Sequence, residues 1–380
     1  NHELRQYLRI IKGEVSELER HALKDEISLL AASAMKYRDE PAVNILDETV
    51  IAVNSDGSFE RRVRKIVMVN DRSEIRNYST RYIVLDPERE SAENVTCAIV
   101  RDLARREVTE RYRKPLSRPE SRLYYNLEAL VIPVPSLTPG DIIDLSYVIR
   151  NREGADYRHY FGEKITAGDG HRTMRFRAVL VHPAVKPVYC HLKGMEQNSL
   201  SVGSRDRKRA QTVTMENIPP LKKEQAMPDA SELLPAVYFT SHRSWDEFFS
   251  WYRSFLKNRV RIDADMKALV KKIFSDTREP LDRVRAIYGF VSGSIRYVGF
   301  EFGVGGIQPR GTDVTFHTRM GDCKDVSLLL VALLREAGID ARLALIRTRD
   351  RGRAYLAAPF AGEFNHAICY VNIGKGFFLD

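Results

Sequence analysis

The stretch from Arg319 to Arg335, RMGDCKDVSLLLVALLR, constrains the fold more than any other. Val326, Leu329, Leu330, Leu333 and Leu334 recur at helical spacing, which predicts an amphipathic helix with one face in a core. Asp322 is placed to accept the first free N–H groups, and Gly338 to end the helix in a left-handed turn. Cys323 then falls in the first turn. Free backbone N–H groups and the helix dipole favour a thiolate there, and Lys324 and Arg319 add positive charge. A thiol in that position is a candidate nucleophile.

Such a nucleophile needs a base, and the base needs a group to orient it. FNHAICYVNI (364–373) and GFFLD (376–380) have strand character, with His366 near the start of one and Asp380 at the end of the other. A helix-borne Cys, a strand-borne His and an acid on the next strand suit thiol acyl transfer. His366 would exchange the proton, Asp380 would fix its tautomer, and the backbone N–H of Cys323 would face the oxyanion. Gln308 and Tyr297 are candidates for a side-chain oxyanion donor, and no spacing rule separates them. His317 is a rival base, set in a loop. Asp325 and Asp313 are rival acids, although Asp325 also suits the dipole of the first turn. Each residue has a plainer reading by itself: a buried structural thiol, a strand-end histidine, a surface acid.

These residues also carry a family resemblance. GDCKD with its apolar helix, then AGIDARLALI, FNHAICYV and FFLD, resembles the bacterial transglutaminase-like superfamily. The likeness extends upstream through IRYVGFEFGVGGIQPRGTDVTFHTRMGDCKD and takes in residues 240–380. ILDETVIAVNSDGSFERRVRKIVMV and LTPGDIIDLSYVI resemble DUF3857, a domain of unknown function that often precedes such cores. The resemblance implies an α+β protein. An antiparallel β-sandwich would precede a papain-like core, in which the Cys helix packs on an antiparallel sheet. It also implies a bacterial envelope or periplasmic setting, and that some members are binding or scaffold modules.

The rest of the chain fits that division. Residues 1–40 read as helical, with Leu4, Leu8, Ile11, Val15 and Leu18 near helical spacing and Gly13 as a break. Residues 41–220 read as strands between Gly and Pro turns, beginning with a hairpin at Ser55-Asp56-Gly57-Ser58 and including one long run, 121–134. Residues 221–243 are proline-bearing and read as a linker. Residues 244–380 read as the core, expected to continue past 380. Its helices are announced by a Ser244/Glu247 capping box, an aromatic run from Trp245 to Phe255, and Pro280 at a first-turn position.

Several function classes lose ground. No run has the length of a membrane helix. The chain opens at Asn1 on a charged stretch, so the missing signal peptide says nothing about export. Glycines 303, 305 and 306 lack the G-K-[ST] of a phosphate loop, which disfavours nucleotides. Cys97, Cys190, Cys323 and Cys369 have no paired spacing for zinc, and no acidic calcium loop appears. The expectation is therefore no cofactor and no metal. A Cys97–Cys190 bridge is open, with buried free thiols the plainer reading. His159, His171, His182 and His191 stand singly. The net charge of +9 gathers at 101–122, 204–209 and 347–353, but no nucleic-acid reader motif accompanies it. The oligomeric state is not legible.

Two function classes stand. One is a cysteine enzyme acting on peptide or carboxamide bonds through a Cys-His-Asp acyl-enzyme, by hydrolysis in preference to cross-linking. The other is a catalytically idle scaffold or protein-binding module using the β domain.

Overall fold

A computed structural model describes residues 15–24, 27–55, 58–117, 120, 123–151, 160–301 and 307–380. The helix reading at Leu4–Gly13, the Asp56-Gly57 turn, His159 and the glycines 303–306 lie outside them. The protein is α+β. It divides into two compact units that are not contiguous in sequence. Unit 1 comprises residues 1–115, 127–243 and 357–360; unit 2 comprises 116–126, 244–356 and 361–380.

Unit 1 is built on an eight-stranded sheet. Its strands run in the order Leu200–Arg205, Lys208–Ile218, Arg172–Pro183, Ala42–Val53, Phe59–Val69, Asp141–Asn151, Glu90–Arg101 and Ala104–Glu107. All neighbours are antiparallel except Ala42–Val53 with Arg172–Pro183, which run parallel. A parallel pair needs a long crossover, and most of the domain lies between those two strands in sequence. Side-chain alternation separates the two faces. Phe176, Ala178 and Leu180 pack with Val237 and Phe239 of a three-stranded sheet (Gly162–Thr166, Ala236–Thr240, Tyr189–Lys193). Val67, Ile99, Ile143 and Leu145 pack with Ile83, Leu85 and Ile132 of another (Thr80–Leu85, Glu128–Pro133, Tyr112–Pro115). These two small sheets make the sandwich. The opposite face is covered by the helices Glu17–His21 and Ile27–Ala34, through Leu18, Leu30 and Ala34. Glu48, fully buried, accepts from Arg62 at 2.8 Å, Arg177 at 2.7 Å and the Leu23 N–H at 3.0 Å.

Two readings change here. Residues 221–243 are more than a linker, because Ala236–Thr240 is a strand buried at every position. Its run of β-branched and aromatic residues is what a strand covered on both sides requires. The run 121–134 divides at Asn126. Glu128–Pro133 pairs with Thr80–Leu85 in unit 1, whereas Leu123–Tyr125 pairs in parallel with Gly299–Glu301 in unit 2.

All four cysteines are free, and Cys97 and Cys190 belong to different apolar clusters. Within the basic stretches, Arg101 is paired with Asp141, Arg105 with Asp144 and Glu107, and Arg347 with Glu363. Among the described residues no helix is long and apolar enough to cross a membrane.

Unit 2 surrounds the helix Cys323–Glu336. Leu329, Leu330, Leu333 and Leu334 share a core with Met266 and Val270 of helix Ala264–Asp276 and with Val284, Ile287 and Val291 of helix Pro280–Ser294. Ala341, Cys369 and Val371 bring in the sheet. That sheet is antiparallel, with His366–Val371 between Ala341–Ile346 and Phe377–Leu379. Gly338, at φ +73°, ends the central helix.

Candidate active site

Asp322 starts the central helix. Its Oδ1 accepts the N–H groups of Lys324 at 3.1 Å and Asp325 at 3.2 Å, and Asp325 Oδ2 accepts the Asp322 N–H at 3.3 Å. Arg310 holds Asp325 from the other side, through its backbone N–H at 2.7 Å and its Nε at 2.9 Å. A Cβ on Gly321 would stand 2.8 Å from the Asp325 Cβ and 3.1 Å from the Thr315 Cγ2, so the turn before the cap has room only for glycine. The cap thus fixes where Cys323 sits.

A short parallel pairing of Tyr297 with Gly321 carries the Tyr297 ring to the same place. Cys323, through its side chain and its backbone N–H, bears on the charge state of that phenol. Burial, and then the negative charge of Cys323 and Asp322, hold that phenol protonated far beyond its usual range.

The histidine arrives from the sheet. His366 opens its strand, and the preceding Asn365 is clamped to Thr348, accepting the Thr348 N–H at 2.8 Å and donating to its hydroxyl at 2.6 Å. His366 Nε2 lies 2.7 Å from Asp380 Oδ1. With Nε2–H donated to the carboxylate, Nδ1 is the nitrogen left to take a proton. Tyr288 donates to the main-chain carbonyl of Asp380 at 2.8 Å. The carbonyl of the next strand residue, Ala367, accepts from Ser327 at 2.9 Å, and its N–H favours the charged form of the Cys323 thiol.

The thiol itself departs from expectation. Burial, followed by the Asp322 carboxylate, pushes the Cys323 thiol above its ordinary range, while Lys324 and the N–H groups of Ala367 and Lys324 pull it back. The cations named from sequence each have another partner as well. Lys324 is buried and ion-paired with Asp322. The Arg319 guanidinium lies over the Phe316 and Phe290 rings, 4.5 and 5.0 Å from their centroids.

The other candidates are placed as follows. Gln308 directs its amide at the Phe255 carbonyl, at 3.4 Å. His317 is bonded through Nε2 to Asp263 at 2.6 Å. Asp313 lies 3.5 Å from Arg261, and Asp325 is held by Arg310. Cys323, Tyr297, His366 and Asp380 all belong to unit 2. Ser327, Tyr288 and Arg310 were not singled out in the sequence. A serine one helical turn after Cys323 is the only signal among them.

Residues 55–222 match the DUF3857 family and residues 267–378 match the transglutaminase-like superfamily. A search of curated proteins found no match. Among solved structures, a candidate protease from Parabacteroides distasonis superposes with a TM-score of 0.74 at 16% identity, over 90% of this chain and 67% of that one. At that identity the likeness speaks for the fold. A candidate cysteine protease from Cytophaga hutchinsonii gives a TM-score of 0.27 at 16% identity, over 58% of this chain and 78% of that one. An M1 zinc metallopeptidase from Deinococcus radiodurans gives 0.28 at 11% identity, over 52% and 42%. The last two scores are too low to bear on the architecture.

Proposed function

We propose that this chain, in which a DUF3857 domain precedes a transglutaminase-like superfamily core, is a cysteine hydrolase of peptide or carboxamide bonds. The observation that carries the reading is the His366–Asp380 bond of 2.7 Å, on the strand whose Ala367 carbonyl is held by Ser327 of the Cys323 helix at 2.9 Å. A histidine with one ring nitrogen fixed by an acid is a base with its other nitrogen directed.

The Cys323 sulfur attacks the amide carbonyl carbon as its proton passes to His366 Nδ1. Because the thiol is held up rather than down, this transfer accompanies attack instead of preceding it as a resting ion pair. The Cys323 N–H at the helix start receives the oxyanion, after the Tyr297 hydroxyl gives way or stays as a second donor. The C–N bond breaks, and His366 returns the proton to the leaving amine. Water then attacks the thioester, gives a proton to His366, and the acid and free thiol are released. Tyr297 is 52% exposed, so this side of the site is open to solvent, and water is the acceptor in this reading.

A peptide-amide electrophile should label Cys323, read by mass spectrometry, and His366→Ala should abolish the labelling. An intact chain that stays unlabelled supports the second reading, an idle platform with the β domain as the binding part. The raised Cys323 thiol is the observation that favours it.

A further inference from the structure

The strand carrying His366 is paired with Phe377–Leu379 only over Cys369–Val371. The backbone at Ala367 lies beyond that pairing, where its polar groups need other partners. The central helix supplies them. Ser327 and Cys323 are one turn apart and therefore lie on the same helix face. The Ser327 hydroxyl, 8% exposed, donates to the Ala367 carbonyl at 2.9 Å. The Ala367 N–H favours the charged form of the Cys323 thiol. One strand residue is thus tied to the nucleophile helix by the Ser327 bond, and it is the residue directly after the base. The hydroxyl donates across to the strand in preference to a carbonyl one turn back in its own helix, the usual alternative for a helical serine.

We propose that Ser327 is a positioning residue that sets the register of the His366 strand on the nucleophile helix. Through Ala367 it fixes the preceding residue, His366, relative to the helix that carries Cys323. The inference rests on the catalytic reading of Cys323 and His366. Without the Ser327 bond, the strand keeps its pairing with Ala341–Ile346 and its packing through Cys369 and Val371, but the end that carries His366 loses its tie to the nucleophile helix. Displacements on that scale cost on the order of 10- to 100-fold in rate.

The test is the pH profile of Cys323 alkylation by iodoacetamide in the whole chain, with wild type, Ser327→Ala and Ser327→Thr compared. Ser327→Ala should react on the order of tenfold slower near neutral pH, with its profile displaced toward alkaline pH. Ser327→Thr, which keeps the hydroxyl, should restore the wild-type profile. A fast wild type with an unchanged, folded Ser327→Ala overturns the inference and leaves the catalytic reading standing. If Ser327→Ala does not fold, a folded Ser327→Thr with a displaced profile overturns it equally. A wild-type Cys323 that reacts no faster than Cys190 overturns the catalytic reading, and this inference with it.

Discussion

The Nε2 of His366 lies 2.7 Å from Oδ1 of Asp380, across neighbouring antiparallel strands. That bond orients the ring, and its removal is the most direct test of the site. Asp380→Asn should leave the fold intact and lower peptide-amide turnover on the order of 100-fold, because the amide favours the wrong tautomer. Turnover equal to wild type would remove Asp380 from the machinery.

Tyr288 anchors the acid through its carbonyl at 2.8 Å. Tyr288→Phe keeps the ring in the core and deletes only the hydroxyl. The loss of stability should be about 1 kcal/mol, seen as a lower melting temperature. Turnover should fall several-fold more than the stability loss explains, since Asp380 is freed to move. Unchanged turnover would limit Tyr288 to packing.

The Cys323 thiol is raised by burial and then by Asp322. A raised thiol is protonated through the neutral range and becomes thiolate only as pH rises past the ordinary thiol value. In His366→Ala, with no base to accept the proton, the alkylation profile should lie on the alkaline side of a free thiol. In wild type it should extend to lower pH. Coincident profiles would show that His366 does not assist Cys323.

Asp322 has two opposed effects. As the helix cap and the partner of buried Lys324 it stabilises the fold. As a negative charge beside Cys323 it holds the thiol protonated. Asp322→Ala should cost about 3–5 kcal/mol, chiefly by leaving a buried cation unpaired, measured by denaturant unfolding. In whatever fraction stays folded, Cys323 should alkylate at lower pH. A variant as stable as wild type would show that Lys324 finds another partner.

Cys97 and Cys369 are buried, and desolvation lifts them to about 11 and about 12. An unfolded thiol titrates near 8.5. The folded state therefore keeps the full benefit of these neutral thiols below that value and loses it as pH rises toward the folded values. The melting temperature should fall as pH rises above about 8.5 toward those folded values, and Cys369→Ala should fall less steeply. Equal slopes would mean other groups dominate alkaline unfolding.

The sequence by itself determined what depends on local chemistry. Helical spacing of Leu329, Leu330, Leu333 and Leu334 fixed the central helix, and Asp322 and Gly338 marked its ends. Strand character around His366 and Asp380 placed those side chains on adjacent strands of one sheet. The tertiary structure decided everything that depends on which groups meet. Whether Lys324 would serve the thiol or an acid depends on its distance to Asp322, which no spacing states. Gln308 and Tyr297 were equal in sequence. Only the pairing of Tyr297 with Gly321 brings one of them to Cys323, while Gln308 turns to Phe255. The strand at Ala236–Thr240 hid in a proline-bearing stretch because its apolar run is short, and only its neighbours show that it is covered on both sides. The same holds for the charge on Cys323. A helix start favours a thiolate, but burial and a nearby carboxylate outweigh it, and both come from packing.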